Sequence, residues 1–200
     1  MTAERDVAKV LLVDDRYDNV LALEASLQGM PVRPVRALSG EEALKRLLVD
    51  DFALILLDVQ MPGMDGFETA QHIKRRERTR HVPIIFLTAA YREAQLALRG
   101  YAAGAVDYIT KPFDPWVLRA KVAVFVELWT KTQQLHAHAE AAAVYHSELQ
   151  AVADIVAKAA EVLAEAQQSP TADRRLDQLA ELLGQAQSRI DLVSGYSSEG

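Results

Sequence analysis

Five short apolar runs, separated by segments of helical period, dominate the first 130 residues. Lys9-Val10-Leu11-Leu12-Val13 ends in acids, and Phe52 to Leu57 is continuously apolar up to Asp58. Pro83 to Leu87 ends at Thr88, and Ala105 to Ile109 stops before Thr110-Lys111-Pro112. Apolar runs without alternation mark strands covered on both faces, as in a parallel sheet. Val32 to Ala37 is the weak member, because Pro34 gives no N–H to a ladder and belongs on an edge or irregular strand. Between the runs, Val20, Leu21, Leu23, Ala25 and Leu27 form a helical pattern over Asp18 to Leu27. Ser39 and Glu42 form a capping-box signature opening a helix through Leu44, Leu47 and Leu48. A turn at Met61-Pro62-Gly63-Met64-Asp65-Gly66 precedes a helix from Phe67 to about Arg78, and another runs near Arg92 to Ala103, stopping at Gly104. Strands alternating with helices predict an α/β fold, a five-stranded doubly wound parallel sheet.

Such sheets bind ligands outside the carboxyl ends of their strands. The chain puts its chemistry there: Asp14-Asp15 after strand one, Asp58 after strand three, Thr88 after strand four and Lys111 after strand five. An aspartate at a strand-to-helix junction is often only a cap, but five such positions at one edge form a constellation. Three converging carboxylates repel one another and are best tolerated around a hard divalent cation such as Mg²⁺. One carboxylate can then attack phosphorus, with Lys111 as a fixed positive charge and Thr88 as a hydroxyl donor. The set describes phosphoryl transfer onto an aspartate.

The rest of the chain reads differently. Helical pattern resumes at about Pro115 and meets no glycine or proline until Pro170. Leu128, Leu135, Ala142, Leu149, Val156 and Leu163 repeat every seven residues; the companion positions Phe125, Thr132, Ala139, His146, Ala153 and Ala160 are weak or small. After a turn near 168–172, a second helix over 173–195 carries the seam Leu176, Leu179, Leu183, Ala186, Ile190 and Val193. Two arms of similar length about a short turn predict an αα-hairpin, and two hairpins from two chains make a four-helix bundle. The expected domains are therefore 1–130, the α/β domain, and 131–200, a coiled-coil or helical-hairpin extension for dimerisation or output.

Charge narrows the partners. The chain carries a formal net charge of −6. Residues 131–200 hold 5 Lys and Arg against 10 Asp and Glu, so the tail lacks the basic face of a DNA-reading module. There is no cysteine for a disulfide or thiolate metal site. No apolar run approaches the ~20 residues of a membrane helix, and no signal peptide is read at Met1 to Asp6. A cytoplasmic protein with no nucleic-acid or membrane partner is expected.

Val13-Asp14-Asp15, Leu57-Asp58-Val59-Gln60-Met61-Pro62-Gly63-Met64-Asp65-Gly66, Thr88-Ala89 and Thr110-Lys111-Pro112-Phe113 closely resemble the receiver domain of two-component response regulators. The resemblance covers roughly Lys9 to Leu128 and implies a flavodoxin-like fold. It implies that Asp58 is the phosphoacceptor and that Asp15 binds Mg²⁺ directly and Asp14 mainly through water. It further makes the backbone carbonyl of Gln60 a third protein ligand. Lys111 would pair with the phosphoryl group and be joined to Pro112 by a cis bond. Thr88 would turn inward to the phosphoryl group, with Tyr108 following as an aromatic switch.

The resemblance also implies a sensor histidine kinase as phosphodonor. No helix-turn-helix, basic helix or catalytic output motif is read after Phe113. The chain is therefore expected to signal by protein–protein contact, as a homodimer acting on a further protein. It is not expected to be an enzyme beyond accepting and shedding its own phosphoryl group. Tyr145-His146-Ser147-Glu148 and the second arm faintly resemble the dimerisation hairpin of histidine kinases, which raises His146 as a phosphotransfer residue. Ser147 stands where that family places an acid, so a plain heptad histidine is the competing reading. A phosphorelay intermediate between Asp58 and His146, or a fragment of a larger kinase or phosphatase, are the alternatives.

Overall fold

The computed structural model describes residues 7–89, 106–166 and 172–196. It divides into two units, residues 1–133 and 134–200.

The first unit holds five strands, β1 (Ala8–Val13), β2 (Val32–Ala37), β3 (Leu54–Asp58), β4 (Ile84–Ala89) and β5 (Asp107–Lys111). Helices α1 (Tyr17–Ser26), α2 (Gly40–Val49) and α3 (Gly66–Arg75) lie between them in sequence. The strands form one parallel sheet in the order β2-β1-β3-β4-β5. Alternate residues of one strand feed opposite layers. Leu11 and Val13 join Ile55, Leu57, Ile84 and Phe86 beneath α2 and α3; Val10 and Leu12 join Leu54, Leu56, Ile85 and Leu87 beneath α1 and the start of α4 (Pro115–Ala166). This two-sided burial is why the strands read as unbroken apolar runs. β2 is an edge strand, the place where Pro34 costs no central ladder bond.

Local chemistry sets the helix ends. The Ser39 side chain accepts from the Glu42 N–H at 3.1 Å. The Glu42 carboxylate reaches one residue further back than a capping box requires, accepting from the Leu38 N–H at 2.9 Å. Helix α3 ends at Arg75 rather than near the expected Arg78. There Thr79 Oγ1 donates to the Ile73 carbonyl at 2.7 Å, and Lys74 Nζ donates to the carbonyls of Arg80 and Val82 at 2.9 and 2.8 Å. These bonds fold the chain back toward β4. In the same segment, Arg78 donates to the Leu48 carbonyl at 2.7 Å and so fastens the end of α2. β5 lies two residues later than expected, because backbone pairing of Thr88 with Thr110 and Ala89 with Lys111 does not require apolar side chains. The helix expected over Arg92 to Ala103, with Gly104 and Ala105, lies outside the described residues.

The second unit contains the later part of α4 and helix α5 (Ala172–Tyr196). Glu148 and Arg189 meet at 2.7 Å, at nearly equal distances from the 167–171 connection, so the two helices run antiparallel. Tyr145, Glu148, Val152, Ile155, Ala159 and Val162 are partly buried along α4, as are Leu179 and Leu182 on α5, and Ala186 is buried. The seam expected on α5 is split by this packing. Leu179 and Ala186 are covered, whereas Leu183 and Ile190 are exposed. The side chains of Leu163, Leu176 and Val193 lie outside the described set. No described helix is long and apolar enough to cross a membrane.

Candidate functional site

The switch in strand order falls between β1 and β3, whose carboxyl ends carry Asp14 and Asp58. A crevice opens at such a point because the connections leave to opposite faces of the sheet. Asp14 is fully buried and Asp58 is 6% exposed, whereas Asp15 is exposed. One carboxylate oxygen from each of the three can be chosen so that all lie within 4.8 Å of one another. From β5, the Lys111 ammonium reaches Asp14 Oδ2 and Asp58 Oδ1, each at 2.6 Å.

The turn after β3 keeps Asp58 at the mouth. Gly66 N–H donates to the Val59 carbonyl at 3.0 Å, and a Cβ on Gly66 would sit 2.2 Å from the Asp58 carbonyl oxygen. Only glycine permits α3 to start so close to the end of β3. Gly63, with φ +75°, makes the preceding reversal. Asp65 then caps α3 by accepting from the Glu68 N–H at 2.8 Å.

Charge at this edge is unbalanced. Burial is the main force pushing the Asp58 carboxyl above its ordinary range. The hydrogen bond and charge of Lys111 oppose that rise, while Asp14 and Asp15 add to it. For Lys111, burial disfavours the ammonium, but the hydrogen bonds and charges of Asp14 and Asp58 outweigh it and hold the group above its usual value. Three carboxylates against one lysine leave an excess of negative charge on an all-oxygen donor set, which fits Mg²⁺.

The other expected residues are distributed around this centre. Thr88 is buried near the end of β4, its hydroxyl turned to the Ala89 carbonyl at 3.4 Å. Tyr108 pairs with Phe86, as Thr110 pairs with Thr88, so Thr88 and Tyr108 share one face of the sheet on adjacent strands. Tyr108 is 36% exposed. Gln60 lies two residues past Asp58 and is exposed. The Lys111–Pro112 peptide is cis. His146 is exposed on α4 in the second unit, and it is Glu148, two residues on, that pairs with Arg189.

Sequence reasoning missed Asn19. Its Nδ2 donates to both oxygens of Asp14, at 2.9 and 3.1 Å, and the Arg16 N–H donates to Asp14 Oδ1 at 3.0 Å. An asparagine five residues past Asp14, in the first turn of a predicted helix, is the signal that could have found it.

Known proteins match this site-bearing unit. The family model for the response regulator receiver domain matches residues 10–123. Response regulator PleD of Caulobacter vibrioides is 40% identical over 115 residues, covering 58% of this chain and 25% of that protein. The uncharacterized transcriptional regulatory protein YrkP of Bacillus subtilis is 39% identical over 127 residues, 63% of this chain and 52% of that one. A probable cyclic di-GMP phosphodiesterase of Vibrio cholerae is 38% identical over 113 residues, 56% and 25% of the two chains. The matched region thus spans from a quarter to about half of these relatives. Among solved structures, Vibrio cholerae chemotaxis protein CheY4 superposes with a TM-score of 0.56 at 31% identity, covering 60% of this chain and 98% of that one. The doubly wound sheet, the acidic edge it presents and the family match over residues 10–123 lead to one conclusion: the chain belongs to the response regulator receiver domain family.

Proposed function

We propose that Asp58 accepts a phosphoryl group from the phosphohistidine of a partner sensor kinase, and that the chain passes the signal on by protein–protein contact in the cytoplasm. The observation that carries this reading is the Lys111 ammonium held between Asp14 and Asp58. In the transfer, an Asp58 carboxylate oxygen forms a bond to phosphorus as the N–P bond of the donor imidazole breaks, and the electron pair of that bond leaves with the imidazole. Lys111 faces the phosphoryl oxygens and offsets their charge. Thr88 offers them a hydroxyl donor. Asp14, Asp15, Asp58 and the Gln60 carbonyl are the groups that would hold Mg²⁺. When bound, the cation neutralises charge on the phosphoryl oxygens.

In the same reading, residues 131–200 form a dimerisation and output module. Leu149 and Val156 are 64% and 55% exposed, and Leu183 and Ile190 are 60% and 45% exposed. The Glu148–Arg189 contact and the antiparallel packing put Leu149 within a turn of Ile190 along the hairpin, and Val156 within a turn of Leu183. Both pairs are rotated in the same sense from the buried seam, so they line one face of the hairpin. Ala142, Ala153 and Ala160 leave that face flat, and among the described residues it carries no lysine or arginine. A second copy offers the same uncharged face, as a two-fold interface requires. A tail with net charge −5 is unsuited to nucleic acid.

The phosphoacceptor is tested by weighing the intact protein after incubation with an acyl-phosphate donor and Mg²⁺. A gain of one phosphoryl group is expected in the wild type and none in Asp58→Asn. A gain that persists in Asp58→Asn removes the assignment.

A further inference from the structure

We infer that Asn19 is a positioning residue that holds Asp14 ready for a divalent cation; the inference rests on the reading of the acidic cluster as a cation site. An aspartate carboxylate turns readily about its terminal bond, which has a broad, two-fold torsional profile. In this site the turn is blocked. Asn19 Nδ2 bonds Oδ1 and Oδ2 together, at 2.9 and 3.1 Å, and so fixes the plane of the carboxylate. The Arg16 N–H adds a second donor to Oδ1 at 3.0 Å. Lys111 adds a second donor to Oδ2 at 2.6 Å.

These donors differ in charge, and the difference matters for a cation. A divalent ion within the cluster repels the Lys111 ammonium but not the neutral Asn19 amide or the Arg16 N–H. Once Lys111 is weakened as a partner of Asp14, Asn19 is the remaining side-chain donor to Oδ2. Its neutrality also leaves the cluster's negative charge for the ion. A lysine or arginine at position 19 would cancel that charge and compete. The local fold supplies the reach: Asp14 accepts from the N–H of Arg16, the residue that precedes α1, and the first turn of α1 carries Asn19 over the carboxylate. Hydrogen-bond partners of metal ligands typically alter metal affinity by ~10–100-fold when removed.

The test is Mg²⁺ titration of the full chain by calorimetry, in wild type, Asn19→Leu and Asn19→Ser, with melting temperatures taken in chelator. Both variants are expected to bind Mg²⁺ about tenfold more weakly. The Mg²⁺ concentration giving half-maximal phosphorylation should rise in parallel, while the rate at saturating Mg²⁺ stays near that of wild type. A lower melting temperature with Mg²⁺ affinity unchanged within twofold would show a merely structural residue and overturn the inference. So would an unchanged half-maximal concentration with a reduced maximal rate. If the wild type itself binds no Mg²⁺, the cation-site reading fails and the inference with it, an outcome distinct from failure of Asn19 alone.

Discussion

The Lys111 ammonium lies 2.6 Å from Asp58 Oδ1, and its other bond to Asp14 keeps it from neutralising Asp58 alone. Asp58 is thus a buried carboxylate with half-shared compensation, and its carboxyl is held above the ordinary range mainly by that burial. A folded-state value raised above the unfolded one favours the protonated form in the fold. The associated stability is complete below the unfolded carboxyl range and is lost as pH rises through the folded value.

Asp58→Asn should therefore melt higher than wild type at neutral pH in chelator, because it removes the charge and leaves the Lys111–Asp14 bond. Each kcal/mol gained corresponds to roughly 2–4 °C for a chain of this size. The advantage should shrink as pH falls into the carboxylate range. Calorimetric melts from pH 4 to pH 8 check this; an advantage that grows toward acid contradicts the sign.

Lys111→Met takes away the compensation that both buried acids share. A loss of about 1–3 kcal/mol is expected at neutral pH, near the cost of leaving a buried hydrogen-bonding group without its partner. Added Mg²⁺ should restore more stability to this variant than to wild type, since binding to the folded form alone stabilises it. Thermal melts with and without millimolar Mg²⁺ measure the difference, and equal gains in the two proteins count against the shared-charge account.

The strands β1, β3 and β4 were legible in the sequence because they are covered on both faces and read as apolar runs. The carboxylates and Lys111 were legible because a doubly wound sheet exposes chemistry at its carboxyl edge. What escaped had physical reasons. β5 continues into Thr110 and Lys111, since a backbone ladder is indifferent to side-chain polarity. α3 ends early because the Thr79 hydroxyl takes the Ile73 carbonyl while Lys74 draws in the carbonyls of Arg80 and Val82 beyond the helix, which turns the chain without a glycine or proline. Asn19 is one polar residue within a helical pattern until the fold brings it over Asp14. Heptad spacing marked the apolar positions of the tail but not which of them meet within one hairpin.

Thr88 shares a sheet face with Tyr108 and has only a long bond to the Ala89 carbonyl to give up. A phosphoryl group on Asp58 offers its hydroxyl a stronger acceptor, and a ligand shifts a population only through such a difference. Thr88→Ala should still gain a phosphoryl group but lose the response of the Tyr108 ring. Fluorotyrosine NMR, with the Tyr108 signal assigned by Tyr108→Phe, reads this on adding beryllofluoride. A Tyr108 shift as large in Thr88→Ala as in wild type separates the ring from the hydroxyl.

The hairpin face yields the remaining prediction, and its magnitude decides what should be seen. Leu149, Val156, Leu183 and Ile190 are each about half exposed or more, and a two-fold dimer covers the four from both chains. At roughly 1 kcal/mol or more for each side chain covered from such exposure, the gain is comparable with an association cost of about 4–15 kcal/mol. Flat alanine positions beside them allow close approach and add contact. Light scattering at micromolar concentration should therefore give about twice the 22.1 kDa of one chain. Leu149→Glu with Ile190→Glu puts two acids close together on the face and, across the two-fold, like charges in the partner. That variant should scatter as a monomer while its helix content and its phosphorylation at Asp58 persist. A wild type that is monomeric both with and without beryllofluoride would mean that something other than a second copy covers this face.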